Sequence, residues 1–256
     1  MRVLVTGASG RLGRAVVPQL QAKGYDVRAM SRRSRSSTTG VEWVVADLAT
    51  GAGVPDAVAG VDVILHLASA PYSGRTKQVD VHGTGRLITL ADHAGVDHVL
   101  YPSIVGQDRI PWGYYRYKTA AEQLVTARTG GWSVIRFTQF HDFLDAGLTM
   151  LAKLPVLVTD PAIPVQPIDV QDVAGRLVAR VADGPSGTIE EYGGPEVLTS
   201  AELVDQWQRA RGRRRRTVHL RLPGRLGKAF RAGWLATDAQ PRGRITWSEY
   251  LQRTYG

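Results

Sequence analysis

An α/β fold built on a doubly wound parallel sheet is what this sequence of 256 residues predicts. Two observations carry that expectation. Short runs rich in Val, Ile and Leu alternate with longer stretches of helical periodicity through the first half of the chain. The first run also passes through a glycine-rich turn straight into a helix. Strands that alternate with helices need crossover connections, which make neighbouring strands parallel and cover both faces of the sheet. The right-handed crossover rule leaves few other topologies.

Taken in order, RVLVTG (Arg2 to Gly7) reads as a buried strand, and GRLGRAVVPQLQAKG as a helix that Gly24 stops. YDVRAM, VEWVVADL and VDVILHLAS are the next three strands, with the polar SRRSRSSTTG (31–40) as a loop. VDVHGTGRLITLADHAG is a helix, VDHVLYPS a fifth strand, GYYRYKTAAEQLVTARTG a helix of good helix formers, and WSVIRF a sixth strand. Beyond it, LPVLVTDPAIPVQPIDV carries four prolines and reads as loop and short strand. VQDVAGRLVARVADG, SAELVDQWQRA (with Ser200 as N-cap) and ITWSEYLQRTYG read as helices. Neither a repeat nor a linker interrupts the chain. The expectation is one domain over 1–256: a dinucleotide-binding core over 1–136 and a smaller C-terminal substrate-binding portion, its pocket elements mainly in 137–256.

The first turn, TGASGRLG, spaces Gly7, Gly10 and Gly13 as G-x-x-G-x-x-G between a strand and a helix. That context is what a Rossmann-type phosphate loop requires. Gly7 permits the tight turn, Gly10 lets backbone approach a pyrophosphate, and Gly13 permits close packing of the helix. The helix N-terminus, through Ser9, Arg11 and Leu12, presents N–H groups to the phosphates. The second strand ends in Met30, Ser31, Arg32 and Arg33. No carboxylate is present there to bind an adenosine ribose, whereas Arg32 and Arg33 can pair with a 2′-phosphate. The expected cofactor is therefore NADP(H), ahead of NAD(H).

Composition narrows the remaining classes. Apolar residues make up 43% of the chain, too many for disorder. The absence of cysteine excludes disulfides, thiol nucleophiles and cysteine metal sites, and fits a reducing compartment. MRVLVTGASG runs straight into a strand, and no window reaches the apolar length of a membrane span. A cytoplasmic protein without a membrane partner is expected. The net charge is +9, and the most basic run is Arg209 to Leu222, with four consecutive arginines from Arg213 to Arg216. Without interleaved aromatics it reads as an exposed turn between a helix and a strand, so nucleic acid is not the expected partner. The six histidines show no metal-binding helical pair, and His66 reads as a satisfied core histidine. Ser103, His141 and Asp142 could be drawn as a hydrolytic triad, but no G-x-S-x-G surrounds the serine.

YYRYK (Tyr114 to Lys118) places Tyr114 and Lys118 one helical turn apart. Tyrosine titrates near ~10 and needs a nearby cation to act in acid–base chemistry at neutral pH. From the residues alone, a reactive Tyr–Lys pair and an amphipathic turn packed on the core both remain open.

The glycine loop, the ADL of Ala46 to Leu48, the HLAS of His66 to Ser69, the YPSIVG of Tyr101 to Gly106 and YYRYK together resemble the short-chain dehydrogenase/reductase superfamily. Within it they are most similar to the atypical, NmrA-like NAD(P)-binding branch. VIRFTQFHDF, VQPIDVQDVA and GRITWSEYL resemble segments of actinobacterial members. The resemblance implies that Asp47 and Leu48 approach the adenine, that Ala68 and Ser69 line the cofactor, and that Ser103 binds a substrate carbonyl. It implies Tyr114 as general acid or base, with Tyr115 as a rival, and Lys118 on the nicotinamide ribose. Gln139, Phe140 and His141 follow the sixth strand at the edge where substrates bind in such folds. One departure stands out: DVHGT puts Asp80 where extended relatives carry an asparagine.

The implied activity is NADP(H)-dependent reduction of a small-molecule carbonyl, quinone or enone. The alternatives are a non-catalytic NADP(H) sensor of the NmrA type and a fold-borrowing cyclase or isomerase. Homodimers are common among related proteins.

Overall fold

The computed structural model describes residues 1–71 and 73–256. The chain begins β1 (Arg2–Thr6), α1 (Arg11–Ala22), β2 (Asp26–Ser31), β3 (Val41–Val45), α2 (Val54–Val58) and β4 (Val63–His66). A wide π-helical turn over Lys77–Gly83 leads into α3 (Thr84–His93), followed by β5 (His98–Ile104), α4 (Gly113–Thr126), β6 (Gly131–Phe137), β7 (Gln139–Phe140) and α5 (His141–Leu151). Then come β8 (Leu157–Thr159), β9 (Pro164–Val165), β10 (Pro167–Ile168), α6 (Val170–Asp183), β11 (Ile189–Tyr192) and β12 (Leu198–Thr199). The chain closes with α7 (Ser200–Ala210), β13 (Thr217–His219), α8 (Gly224–Arg231) and α9 (Trp247–Tyr255).

Seven strands form one sheet in the order β11-β6-β5-β4-β1-β2-β3, and the pairs β1–β2, β2–β3, β1–β4 and β4–β5 are all parallel. The winding reverses between β1 and β4, the switch point at which doubly wound sheets open a crevice beyond their carboxyl ends. Expectation and structure agree on this architecture. Buried aliphatic residues follow from the position of the strands: Leu4, Ile64 and Val99 sit in the cluster that also takes Leu87 of α3 and Val125 of α4. A strand covered by helices on both faces is apolar throughout rather than alternating, and β4 is buried along its whole length.

The chain divides into two compact units: Met1–Ser103, Gly113–Arg136 and Ala174–Glu190 form the first, and Ile104–Trp112, Phe137–Val173 and Glu191–Gly256 the second. The second unit holds three two-stranded sheets, β10–β7, β12–β9 and β13–β8. Its core gathers Leu157, Leu203, Trp207, Trp247 and Leu251.

Several elements differ from the sequence expectation. The N-cap of α7 is Thr199, not Ser200; Thr199 and Glu202 form a reciprocal capping box, and Ser200 Oγ donates instead to Asp160 O at 2.7 Å. Helices α2, α5 and α8 were not expected; none carries a side-chain cap, so each lacks that start signal.

Candidate functional site

The glycine loop needs its glycines for two physical reasons. Gly7 sits at φ +65°, and a Cβ there would lie 2.8 Å from the backbone of Ala68. A Cβ on Gly13 would lie 2.5 Å from Ala8 O, so any side chain would push α1 away from the turn. Gly10 N donates to Gly7 O at 2.8 Å and closes the turn. Gly10 also caps α1 without a side chain, and no acidic residue occupies the first turn. The positive end of the helix is thereby left for an anion.

A cavity of about 440 Å³ opens here, lined by Gly7, Ser9 and Gly10 of the loop, Arg32 after β2, Asp47 and Leu48 after β3, and Ala68 and Ser69 after β4. A concavity bounded by a phosphate loop and the ends of three parallel strands fits an extended dinucleotide. The end of β2 is Ser31, whose Oγ accepts from Arg33 N at 3.2 Å; Arg32 and Arg33 are both exposed. Sequence reasoning missed Arg75, which also lines the cavity and pairs with Asp47 at 3.0 Å. Burial pushes the Asp47 carboxyl up, but the Ala49 amide and the Arg75 guanidinium outweigh it and hold the group below its ordinary range. Arg11 and Leu12 lie in the first turn of α1 and are not among the residues lining this cavity.

On the other side of Ser69 the structure assembles a chain of side chains. Ser69 Oγ donates to Asp80 Oδ1 at 2.5 Å, and Asp80 Oδ2 accepts from Ala70 N at 2.9 Å. Ser69 has one hydroxyl proton, so its 3.0 Å contact with Tyr114 Oη requires the phenol to donate to it. The direction is Tyr114 to Ser69 to Asp80. Asp80 is buried on the π-helical turn, where a wider helix displaces one residue from regular register. It is the functional candidate that motif comparison left out. Its only signal was the DVHGT departure.

Lys118 is buried on α4, and its Nζ donates to Tyr101 Oη at 2.6 Å and to Pro102 O at 3.0 Å. An ammonium has three donors, and the third has no hydrogen-bond partner among the described residues. Burial lowers its pKa to about 8, against the opposing pull of Asp80 and Glu122. Burial, then the charge on Asp80, raises the Tyr101 phenol well above its ordinary value, so Tyr101 stays a neutral acceptor. Strand alternation puts Ser103 on the same face of β5 as Tyr101. The Ser103 hydroxyl is buried with no hydrogen-bond partner among the described residues. Tyr115 is buried beside Tyr114, their ring centroids 6.3 Å apart.

Behind the chain lies a second one that fixes the backbone. Ala68 N donates to Thr6 Oγ1 at 3.1 Å, Thr6 Oγ1 meets His66 Nδ1 at 2.7 Å, His66 Nε2 meets Thr84 Oγ1 at 2.9 Å, and Thr84 Oγ1 donates to Asp80 O at 2.7 Å. Because Thr84 spends its proton on Asp80, His66 must be protonated on Nε2 and accept at Nδ1. Burial, with the nearby Lys118 charge, lowers the His66 pKa to about 3, which keeps the ring neutral. His66 is the satisfied core histidine that the sequence predicts, and it ties the strand ends of β1 and β4 to the turn carrying Asp80.

Three predicted pocket residues lie in the second unit. Gln139 is engaged at both ends of its amide, with Leu235 O at 2.8 Å and Gln166 N at 3.1 Å. Phe140 is half-buried in β7. His141 is buried, packed against the rings of Trp247 and Tyr250 with its Nδ1 3.4 Å from Asp169.

Fold and site together define a Rossmann-like dinucleotide-binding protein. More particularly, the chain belongs to the NAD(P)H-binding family whose profile matches residues 7–183. It is 28% identical over 225 residues to the photosystem II assembly factor Ycf39 of Trieres chinensis, covering 83% of this chain and 70% of that one. Other curated relatives are longer: the chain spans 20% of one from Mycobacterium tuberculosis and 55% of one from Arabidopsis thaliana. Among solved structures it is similar to the NADPH-dependent quinone oxidoreductase QOR2 of Escherichia coli complexed with NADPH, with a TM-score of 0.81 at 18% identity over 99% of this chain and 100% of that one. A short-chain dehydrogenase/reductase superfamily protein of Agrobacterium tumefaciens with bound NAD gives a TM-score of 0.74 at 23% identity, over 100% of this chain and 96% of that one. The family and the fold agree with the resemblance read from the sequence. No helix among the described residues is long and apolar enough to cross a membrane.

Proposed function

We propose that the protein is an NADP(H)-dependent oxidoreductase acting on a carbonyl, quinone or enone of a small molecule. One observation carries the reading: Ser69 belongs both to the wall of the dinucleotide cavity and to the hydrogen-bonded chain from Tyr114 to Asp80. A phenol positioned by a hydroxyl that a buried carboxylate holds, beside a cofactor cavity, is what proton donation during reduction at an electrophilic carbon needs.

The nicotinamide, when bound, supplies the hydride. Tyr114 turns its hydroxyl from Ser69 to the oxygen on which negative charge develops and donates its proton there; Ser69, its own proton held by the Asp80 carboxylate, positions the phenol, and solvent restores the proton. The third donor of Lys118 holds a ribose hydroxyl, and its charge favours the phenolate left behind. Ser103 offers its hydroxyl to the substrate oxygen. Arg32 and Arg33 bind the 2′-phosphate, in the absence of any carboxylate at the end of β2. The QOR2 relative, NADPH-dependent and acting on quinones by its name, supports starting the search with quinones.

The test is NADPH oxidation across a panel of quinones, enones and carbonyls. Tyr114→Phe is expected to lower kcat by roughly 10²–10⁴-fold while NADPH still binds. Arg32→Ala with Arg33→Ala is expected to bring the NADPH Kd up to that for NADH. Tight NADPH binding with no turnover of any acceptor would overturn the enzyme reading in favour of a sensor. Equal affinity of the unmodified protein for the two cofactors would overturn the NADP assignment.

A further inference from the structure

The positive charge of this protein is not spread over its surface. Residues 206–237 hold ten of the 32 lysines and arginines and none of the 23 acidic residues. The rest of the chain carries 22 basic against 23 acidic residues, so the whole excess lies in this one segment of the second unit. Few of these cations are used internally. Arg209 pairs with Asp205, Arg231 with Asp160, and Arg211 lies over Trp207. Arg213, Arg214, Arg216, Arg221, Arg225 and Lys228 are exposed and form no ion pair among the described residues.

Aliphatic side chains are interleaved with them. In RLRLPGRL, Leu220, Leu222 and Leu226 are 54%, 39% and 39% exposed. The apolar strip continues onto the neighbouring strand. Val158 of β8 pairs with Val218 of β13, and partners in a parallel ladder share a face, as do Val218 and Leu220 two residues on. Leu157 and Thr159, on the opposite face of β8, are buried, while Val158 is 46% exposed. The outer face of this small sheet and the start of α8 therefore present aliphatic side chains among unpaired cations.

We propose that this face docks the protein on an anionic lipid surface. Cations attract the headgroups, and the aliphatic side chains enter the boundary between headgroup and acyl chain, the combination that holds interfacial segments. A nucleic acid would use the arginines but leave the leucines in water, and it would call for exposed rings to stack on. The large rings of this segment, Trp207, Phe230 and Trp234, are buried or half-buried. Lying on a membrane needs no spanning helix, so the absence of one does not bear on this mode.

The test is co-sedimentation of the full chain with vesicles of phosphatidylcholine containing about a third phosphatidylglycerol, and with phosphatidylcholine alone. Binding is expected only to the anionic vesicles and should weaken steeply as salt screens the headgroups. Arg213→Gln, Arg214→Gln and Arg216→Gln together should weaken it roughly a hundredfold. Leu220→Ser with Leu226→Ser should weaken it at constant charge. Retained NADPH binding would show that each variant is folded. No binding of the unmodified chain to anionic vesicles, or equal binding to neutral ones, overturns the proposal without recourse to any variant. RNA binding that survives the leucine changes, in a protein that ignores vesicles, would overturn it in favour of nucleic acid.

Discussion

The two units hold their chains in place by different means. In the first, backbone ladders between parallel strands do most of the work, and buried polar side chains such as Arg28, His98 and Arg128 add to them. In the second, strands are two or three residues long, and side chains substitute for the missing ladder. Gln166 bridges Gly194 O and Thr237 N, Asp172 accepts from the backbone of Arg244 and Ile245, and Asp145 accepts from Trp207, Tyr250 and Tyr255. Repetition makes the first unit tolerant of single changes in its ladder. Dependence on individual side chains makes the second unit vulnerable one residue at a time.

Acid should give the largest effect, and it should strike the first unit. Burial lowers His66 to about 3 and His98 to about 4, both from 6.5. The unfolded chain takes up those protons near pH 6.5 and the folded chain does not, so stability is lost as pH falls from 6.5 toward 3. Each histidine contributes up to ~1.4 kcal/mol per pH unit within its window. Guanidinium midpoints measured downward from pH 7 should show this slope, and His66→Gln should flatten it. A slope unchanged by that substitution would remove His66 from the account.

Next in size is Gln166→Ala, which strands a buried carbonyl and a half-buried amide in the second unit and should cost ~2–4 kcal/mol. The smallest is Thr246→Ala, which removes half of the α9 capping box and should cost ~1 kcal/mol. Thermal or chemical denaturation would read both. If Gln166→Ala cost no more than Thr246→Ala, single side chains would not be what supports this unit.

The same contrast explains what the sequence made legible. Six strands of the large sheet and the longer helices α1, α3 and α4 announce themselves by periodicity, and the glycine loop by its spacing; the five-residue α2 is too short to show one. In the second unit, α7 and α9 could be seen because residues typical of a cap precede Glu202 and Glu249. Helices α5 and α8 are preceded by Phe140 and Pro223, which offer no such signal. At the site, Tyr114, Lys118 and Ser69 lay in motifs. Asp80 showed only as the DVHGT departure and Arg75 not at all, because their contacts join positions 11 and 28 residues apart in the chain, which no local pattern records.

The π-helical turn has a consequence for proton traffic. Among the described residues, the Asp80 carboxylate hydrogen-bonds only Ser69 and Ala70, while its backbone carbonyl, not its carboxylate, faces the Thr84–His66–Thr6 chain. The neutral imidazole has its only proton committed to Thr84. The chain that positions Tyr114 in the proposed reaction therefore ends at Asp80: among the described residues no side chain continues it toward His66.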